Sequence, residues 1–163
     1  NDVRRIDDAV GDVLQLLKDL KIDDNTLVVF TSDNGPSDES YLPAPRPTNF
    51  FRSFGPFDGI KRDSWEAGVR MPTLARWPAG IPLGRVEDEP SGQWDWMDTF
   101  AELAGVPLPA ASDGVSLVPS LTGHGRQLPG NLYIEYFHDG RTPGYPEFAS
   151  AHRNRKRGQM QAI

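Results

Sequence analysis

The stretch Leu27 to Pro36 reads Leu-Val-Val-Phe-Thr-Ser-Asp-Asn-Gly-Pro, and the predicted fold follows from it. Its first half is apolar without polar alternation, which is typical of a strand buried on both faces in a parallel sheet covered by helices. Such sheets bind ligands at the carboxyl ends of their strands. Asp33 and Asn34 follow the strand directly, in a turn favoured by Gly35 and Pro36. We therefore look for the functional site at this end of the strand.

An amphipathic helix is predicted before the strand. From Val3 to Leu20, apolar residues recur three and four positions apart, as one face of a helix requires. A short polar turn, Ile22 to Thr26, then leads into the strand. Helix, turn and buried strand make half of a βαβ unit, which favours an α/β fold.

A long irregular segment follows, at positions 36–59. It contains five prolines and four phenylalanines, namely Phe50, Phe51, Phe54 and Phe57. Dense proline excludes a regular element and aromatic content argues against disorder, so we interpret the segment as a lid or pocket wall. We expect the phenylalanines to pin it to the body of the protein more than to contact substrate.

Four further elements are predicted downstream. They are a strand at Val69–Trp77, a helix at Trp94–Ala104 stopped by Gly105, a short apolar segment at Val115–Leu121 broken by Pro119, and a strand at Leu132–Phe137.

Composition limits the classes of function. The 163 residues carry a formal net charge of −6 and no cysteine. An acidic chain disfavours nucleic-acid and anionic-membrane partners, and the absence of cysteine excludes disulfides and thiolate chemistry in this chain. No apolar stretch is long enough for a membrane span. Because the sequence starts at Asn1 without Met and stops abruptly at Ile163, we expect a piece of a longer protein.

The candidate site residues each have an ordinary alternative. Asp33 and Asn34 could form a plain turn, or they could be hard oxygen ligands for Ca²⁺ or Mg²⁺. Two ligands do not complete such a site, and no second acidic group follows a comparable strand end, so the others would come from outside this chain. Lys61 could be a solvated lysine or a point charge for an anionic substrate group.

A resemblance changes these priorities. The segment Gly59 to Pro78, with Lys61, Glu66-Ala67-Gly68, Arg70-Met71-Pro72 and Trp77-Pro78, closely resembles the sulfatase pattern of a lysine followed by Glu-Gly-Gly, Arg-x-Pro and Trp-Pro. The Val-Val-Phe-Thr-Ser-Asp-Asn-Gly stretch matches the same family upstream, and Leu103-Ala104-Gly105-Val106 matches downstream. The resemblance runs in one order from about Val3 to Phe137.

The resemblance implies a fold and an activity. Sulfatases have an alkaline-phosphatase-like α/β sandwich, a sheet flanked by helices, with a small antiparallel carboxyl-terminal subdomain. We accordingly expect catalytic-domain residues at 1–125 and the start of the small subdomain at 126–163. The family hydrolyses sulfate esters with a formylglycine made from Cys or Ser, and it binds one Ca²⁺, Mg²⁺ being the less favoured ion. By the resemblance, Asp33 and Asn34 are metal ligands and Lys61 is the catalytic lysine that contacts the sulfate.

Parts of the family pattern are absent. No serine here lies in the Cys/Ser-x-Pro-x-Arg motif that gives formylglycine, and Ser116 has its proline one place too far along. The early acidic pair of the metal site is missing too. The three histidines do not match the family's catalytic histidines, and we interpret them as loop or surface residues: His124, His138 and His152. Ala67 replaces the first glycine of Glu-Gly-Gly, a mild change unless that position needs positive φ. The basic tract Arg153–Arg157 is interpreted as a solvated charged turn.

We therefore expect the carboxyl-terminal portion of a sulfatase, inactive by itself and completed by the missing amino-terminal half. The expected substrate is a sulfate-ester small molecule or a sulfated glycan. The alternatives are a phosphonate or phosphodiester hydrolase of the same superfamily, and a noncatalytic binding or assembly module that kept the fold. The resemblance suggests a periplasmic, secreted or lysosomal protein.

Overall fold

The computed structural model describes residues 2–38, 47–108 and 110–162. In chain order the helices and strands are α1 (Asp2–Asp19), β1 (Val28–Thr31), α2 (Glu66–Val69), β2 (Thr73–Arg76), α3 (Asp95–Ala104), α4 (Val118–Thr122), β3 (Ile134–Phe137) and β4 (Gln159–Ala162). Short 3₁₀ helices lie at Asp23–Asn25 and Thr48–Phe50. β1 pairs with β2, and β3 pairs with β4. This mixture of helices and sheets confirms the predicted α/β class.

The chain divides into two compact units, each made of two separate stretches. The first unit contains residues 1–30 and 74–130, and the second contains residues 31–73 and 131–163. The predicted domains, 1–125 and 126–163, divide the sequence differently and stay a prediction about the whole protein.

The amphipathic helix is confirmed as α1, with bounds one residue from the prediction. No residue of α1 is buried, and four of its apolar side chains are more than half exposed, as is Leu20, which follows the helix: Val3, Ile6, Val13 and Leu16. In the same unit Arg76 donates two hydrogen bonds to the Asp23 carboxylate, at 2.6 and 2.9 Å, and so joins the end of β2 to the turn after α1. No helix in the described ranges is long and apolar enough to span a membrane.

The predicted strand at 27–31 is confirmed as β1, but its predicted burial on both faces is wrong for this chain. No residue of β1 is buried, and Phe30 is exposed. The physical reason is that, among the described residues, β1 has β2 as its only strand neighbour.

The helix predicted at Trp94–Ala104 is confirmed as α3, and Gly105 ends it in the left-handed conformation, at φ 65°. Its first residue, Asp95, is 1% exposed and accepts hydrogen bonds from the backbone amides of Gly92, at 2.7 Å, and Val115, at 2.9 Å. Pro119 does not break the following segment as expected. It lies in the first turn of α4, where the missing amide hydrogen leaves no hydrogen bond unmade.

The second unit contains the predicted carboxyl-terminal strand and a partner for it. β3 runs antiparallel to β4, with Ile134 opposite Ala162 and Phe137 opposite Gln159. The strand predicted at Val69–Trp77 is wrong at its start. Val69 is the last residue of the short helix α2, and β2 begins only at Thr73, after Pro72.

Candidate active site

The turn after β1 presents two oxygen-bearing side chains. Asn34 donates its amide hydrogen to the Gly35 carbonyl at 2.9 Å, which orients the amide so that its oxygen is left to accept. Asp33 is exposed, and its carboxylate forms no hydrogen bond or ion pair with a residue in the described part of the chain. Both oxygens are therefore available to an external ligand.

Lys61 lies in a closed loop at residues 58–68, which we call the lysine loop. The loop is closed by backbone hydrogen bonds from Ala67 to the Asp58 carbonyl at 2.9 Å, and from Gly68 to the Trp65 carbonyl at 2.8 Å. The Lys61 side chain is half-buried, and within the described ranges its ammonium has no hydrogen-bond or ion-pair partner. Among the residues that the structure describes, it has no counter-charge.

Two backbone hydrogen bonds join the turn to the lysine loop. Lys61 donates its amide to the Pro36 carbonyl at 2.8 Å, and Gly35 donates its amide to the Gly68 carbonyl at 2.9 Å. The segment carrying Asp33 and Asn34 is thus held against the segment carrying Lys61, although their sequences are almost thirty positions apart.

Two glycines make this close approach possible. A Cβ placed on Gly35 would lie 1.7 Å from the Ala67 carbonyl oxygen, and one placed on Gly68 would lie 2.5 Å from the carbonyl oxygens of both Asp63 and Ile60. Ala67 itself has no positive φ and is 2% exposed, so the position does not have the backbone conformation that would favour glycine.

A buried ion pair joins the lysine loop to Arg157. Arg157 donates a hydrogen bond to the Asp63 carboxylate at 2.7 Å, and the two residues are 8% and 4% exposed. Burial raises the pKa of Asp63, and the Arg157 charge offsets part of that increase. The interpretation of Arg153–Arg157 as a solvated turn is therefore wrong for Arg157, because its guanidinium is buried in the ion pair with Asp63.

His152 contacts the outside of the same loop. Its Nδ1 donates to the Asp58 carboxylate at 2.5 Å, and its ring stacks on Trp65 with 4.1 Å between ring centroids and 14° between planes. Its predicted position in a loop is confirmed, but its side chain is partly buried and bonded rather than free. Sequence reasoning missed this contact because Asp58 and His152 are 94 positions apart.

The other two histidines agree with their interpretation as loop or surface residues. His124 is exposed in the turn after α4. His138 follows β3, and its Nδ1 accepts a hydrogen bond from the Gly140 amide at 3.0 Å.

The phenylalanines of the predicted lid divide into two pairs. Phe54 and Phe57 line a cavity of about 220 Å³ together with Arg70, whose guanidinium lies 4.5 Å from the centre of the Phe57 ring. Phe50 and Phe51 are 78% and 81% exposed, so the expectation that the phenylalanines pin the segment is wrong for this pair. Residues 39–46 of the predicted lid lie outside the described residues.

The described residues offer half of a metal site. Nowhere in ranges 2–38, 47–108 and 110–162 do three or more His, Asp or Glu side chains form a group that could bind a metal ion. The carboxylate of Asp33 and the amide oxygen of Asn34 are the hard donors that Ca²⁺ and Mg²⁺ prefer, but either ion needs about six or more oxygens. The donor set fits such an ion in kind and is incomplete in number.

Comparisons with known proteins point to one family. The family model described as Sulfatase matches residues 1–106. The chain is 42% identical over 123 residues to N-acetylgalactosamine-6-sulfatase of Canis lupus familiaris, covering 74% of this chain and 22% of that protein. It is 36% identical over 136 residues to steryl-sulfatase of Homo sapiens, covering 82% of this chain and 23% of that protein. The chain therefore spans less than a quarter of the length of these relatives.

Solved structures agree. A sulfatase from Pseudoalteromonas sp., PsFucS1, superposes with a TM-score of 0.66 at 25% identity, over 97% of this chain and 32% of that one. A protein solved in complex with its substrate D-glucosamine-2-N,6-O-disulfate gives a TM-score of 0.65 at 26% identity, over 94% of this chain and 27% of that one. The predicted alkaline-phosphatase-like α/β fold is confirmed by these matches. With a family model covering most of its length and relatives above 40% identity, the chain belongs to the sulfatase family.

Proposed function

We propose that the protein containing this chain hydrolyses sulfate esters, and that the chain contributes one side of the active site. Asp33 and Asn34 are ligands of a Ca²⁺ ion, and Lys61 binds the sulfate. One observation carries this proposal. Two oxygen donors and one ammonium have no internal partner among the described residues, and they belong to two segments that paired backbone hydrogen bonds hold together.

Each residue has a defined task. The Asp33 carboxylate supplies negative charge to the ion, and the Asn34 oxygen is left to bind it because the amide nitrogen donates to the Gly35 carbonyl. The Lys61 ammonium stabilises negative charge on the sulfate oxygens, which increases as the ester bond breaks. A Ca²⁺ ion held by Asp33 and Asn34 would supply Lewis-acid stabilisation of the developing negative charge.

The nucleophile and the remaining metal ligands come from the rest of the protein. This chain contains no Cys/Ser-x-Pro-x-Arg motif, so the formylglycine is expected in the part of the protein that precedes it. We accordingly propose that the chain by itself is inactive and requires its amino-terminal half.

The proposed substrate class is a sulfated glycan or another small sulfate ester. Support comes from relatives named for glycan and steryl substrates, and from a structural neighbour solved with a disulfated glucosamine. Neither Lys61 nor the two oxygen donors distinguishes sulfate from phosphate, since the two groups are nearly isosteric. Rates of the full-length protein on matched aryl sulfate and aryl phosphate esters decide between a sulfatase and a phosphonate or phosphodiester hydrolase.

Substitution of the two charged residues tests the assignment. In the full-length protein, Asp33→Ala is expected to abolish turnover of a chromogenic aryl sulfate and to lower the bound Ca²⁺ measured by atomic emission. Lys61→Ala is expected to lower turnover while leaving Ca²⁺ bound. Asp88→Ala and Lys18→Ala are matched controls, because both side chains are exposed. Equal Ca²⁺ content in wild type and Asp33→Ala refutes the ligand assignment, and no turnover of any sulfate ester by wild type favours a noncatalytic module.

A further inference from the structure

Residues 147–157, which we call the brace segment, contact the lysine loop at several points. The Gly59 amide donates to the Glu147 carbonyl at 2.9 Å, and the Ala149 amide donates to the Asp58 carboxylate at 2.7 Å. His152 binds the other oxygen of the same carboxylate. The loop that carries Lys61 is therefore attached to a segment almost a hundred positions away in the sequence.

The contacts lie on both sides of Lys61. Asp58, three positions before Lys61, bonds to His152, while Asp63, two positions after it, pairs with Arg157 in the interior. A carboxylate bonded to a charged or polarised partner forms a stronger hydrogen bond than two neutral groups do. The backbone between these two attachment points is fixed at each end, and Lys61 lies between them.

His152 also connects the beginning of the lysine loop to its end. Its Nδ1 binds Asp58 at the start of the loop, and its ring lies flat on Trp65 near the end. The Gly59 backbone passes against Trp65 so closely that an added Cβ would lie 2.6 Å from the Trp65 Cβ. One imidazole thus contacts both ends of the segment that carries Lys61.

The loop contains backbone strain that such attachments can maintain. Arg62, directly after Lys61, has φ 72°, a left-handed conformation that is unfavourable for a residue with a side chain. Strained backbone of this kind persists only where surrounding contacts fix it. Without the attachment at Asp58, the loop is free to relax around Lys61.

We infer that His152 is a positioning residue for Lys61. Through Asp58 and Trp65 it fixes the lysine loop in the conformation that places the ammonium on the sulfate. This role rests on the proposed function, since it assumes that Lys61 binds sulfate. His152 itself is assigned no contact with substrate.

The test uses the full-length protein and substitutions that separate the two contacts. His152→Ala removes both contacts, His152→Phe keeps an aromatic ring for Trp65, and His152→Asn keeps a donor for Asp58. His124→Ala is the control, because His124 is an exposed histidine after α4. Three quantities are measured: kcat/KM on an aryl sulfate, the inhibition constant of inorganic sulfate, and hydrogen exchange of the Lys61 and Ala67 amides.

We expect substitution of His152 to lower activity and to open the lysine loop locally. For His152→Ala we expect a drop in kcat/KM of about tenfold to a hundredfold, as a displaced binding group produces. Sulfate inhibition weakens, and the two loop amides exchange faster while exchange in α3 is unchanged. His152→Phe and His152→Asn each recover part of the loss, and His124→Ala matches wild type.

Other results overturn the inference. Unchanged amide exchange in His152→Ala shows that His152 does not brace the loop. Faster exchange with unchanged kcat/KM and sulfate inhibition shows that the contact is structural and does not position Lys61. Exchange that rises throughout the protein in all three variants shows a general loss of stability instead. If wild type hydrolyses no sulfate ester, the proposed function fails and this role fails with it, whereas active wild type with insensitive variants refutes the role of His152 alone.

Discussion

Replacement of Gly35 by alanine is expected to separate the two halves of the candidate site. The added Cβ would lie 1.7 Å from the Ala67 carbonyl oxygen and 2.8 Å from the Ala67 carbonyl carbon. Ordinary non-bonded contacts lie near 3.5 Å, so the two backbones must move apart by about 1.8 Å. Because the obstructing atoms belong to backbone, no side-chain rotation can relieve the contact.

The magnitude follows from two terms. Overpacking of a close contact destabilises by about 1 to 3 kcal/mol. The same displacement breaks the 2.9 Å hydrogen bond from the Gly35 amide to Gly68, which contributes about 1 kcal/mol. We therefore expect the free energy of unfolding to fall by about 2 to 4 kcal/mol, and turnover of an aryl sulfate to fall further, because Asp33 and Asn34 move relative to Lys61.

The assay is urea unfolding of the full-length protein, accompanied by initial rates on the aryl sulfate. Gly158→Ala is the matched control, since no atom lies within 4 Å of a Cβ placed there. If Gly35→Ala unfolds within about 0.5 kcal/mol of the control and keeps its activity, the close contact between turn and loop is refuted.

Four smaller predictions concern stability, each measured by urea unfolding. Arg157→Met leaves the Asp63 carboxylate buried and unpaired and is expected to cost about 3 to 5 kcal/mol, most of which Asp63→Leu recovers in the double variant. Burial raises the pKa of Asp63 in the folded protein, so the free energy of unfolding should be highest below about pH 3.9 and should fall as the pH rises through the raised pKa. Asp63→Asn should remove this fall in stability with pH. Asp95→Ala deprives the buried Gly92 amide and the partly buried Val115 amide of their acceptor and should cost about 1 to 3 kcal/mol for the Gly92 amide and less for Val115. Gly105→Ala forces a side chain into the left-handed conformation and should cost about 1 to 2 kcal/mol, whereas equal stability would contradict the helix end assigned there.

Local features of the fold were predictable from sequence because their causes are local. Apolar residues three and four positions apart predict α1, and Gly105 predicts the end of α3. The turn carrying Asp33 and Asn34 was predictable for the same reason. Pro72 also acts locally, because β2 begins only after it, at Thr73, whereas the apolar pattern from Val69 does not show where the strand begins.

Features that depend on distant partners were not predictable. The burial of a strand depends on what covers it, so the apolar run of β1 indicated a strand but not its exposure in this chain. In the sequence, Arg157 is one of several charges in a basic tract, and nothing nearby indicates that it pairs with Asp63, 94 positions away. His152 offered no spacing signal either, because its two partners precede it by most of the chain.

The long sequence separation within the second unit affects the order in which the site can form during synthesis. Lys61 leaves the ribosome well before residues 147–157, and closing the 94-residue loop between Asp63 and Arg157 costs about 4 kcal/mol of chain entropy. The lysine loop therefore acquires its attachments only after nearly all of this sequence has been translated. A chain truncated between Gly68 and Glu147 would still carry Asp33, Asn34 and Lys61, yet it would lack the contacts that fix the lysine loop.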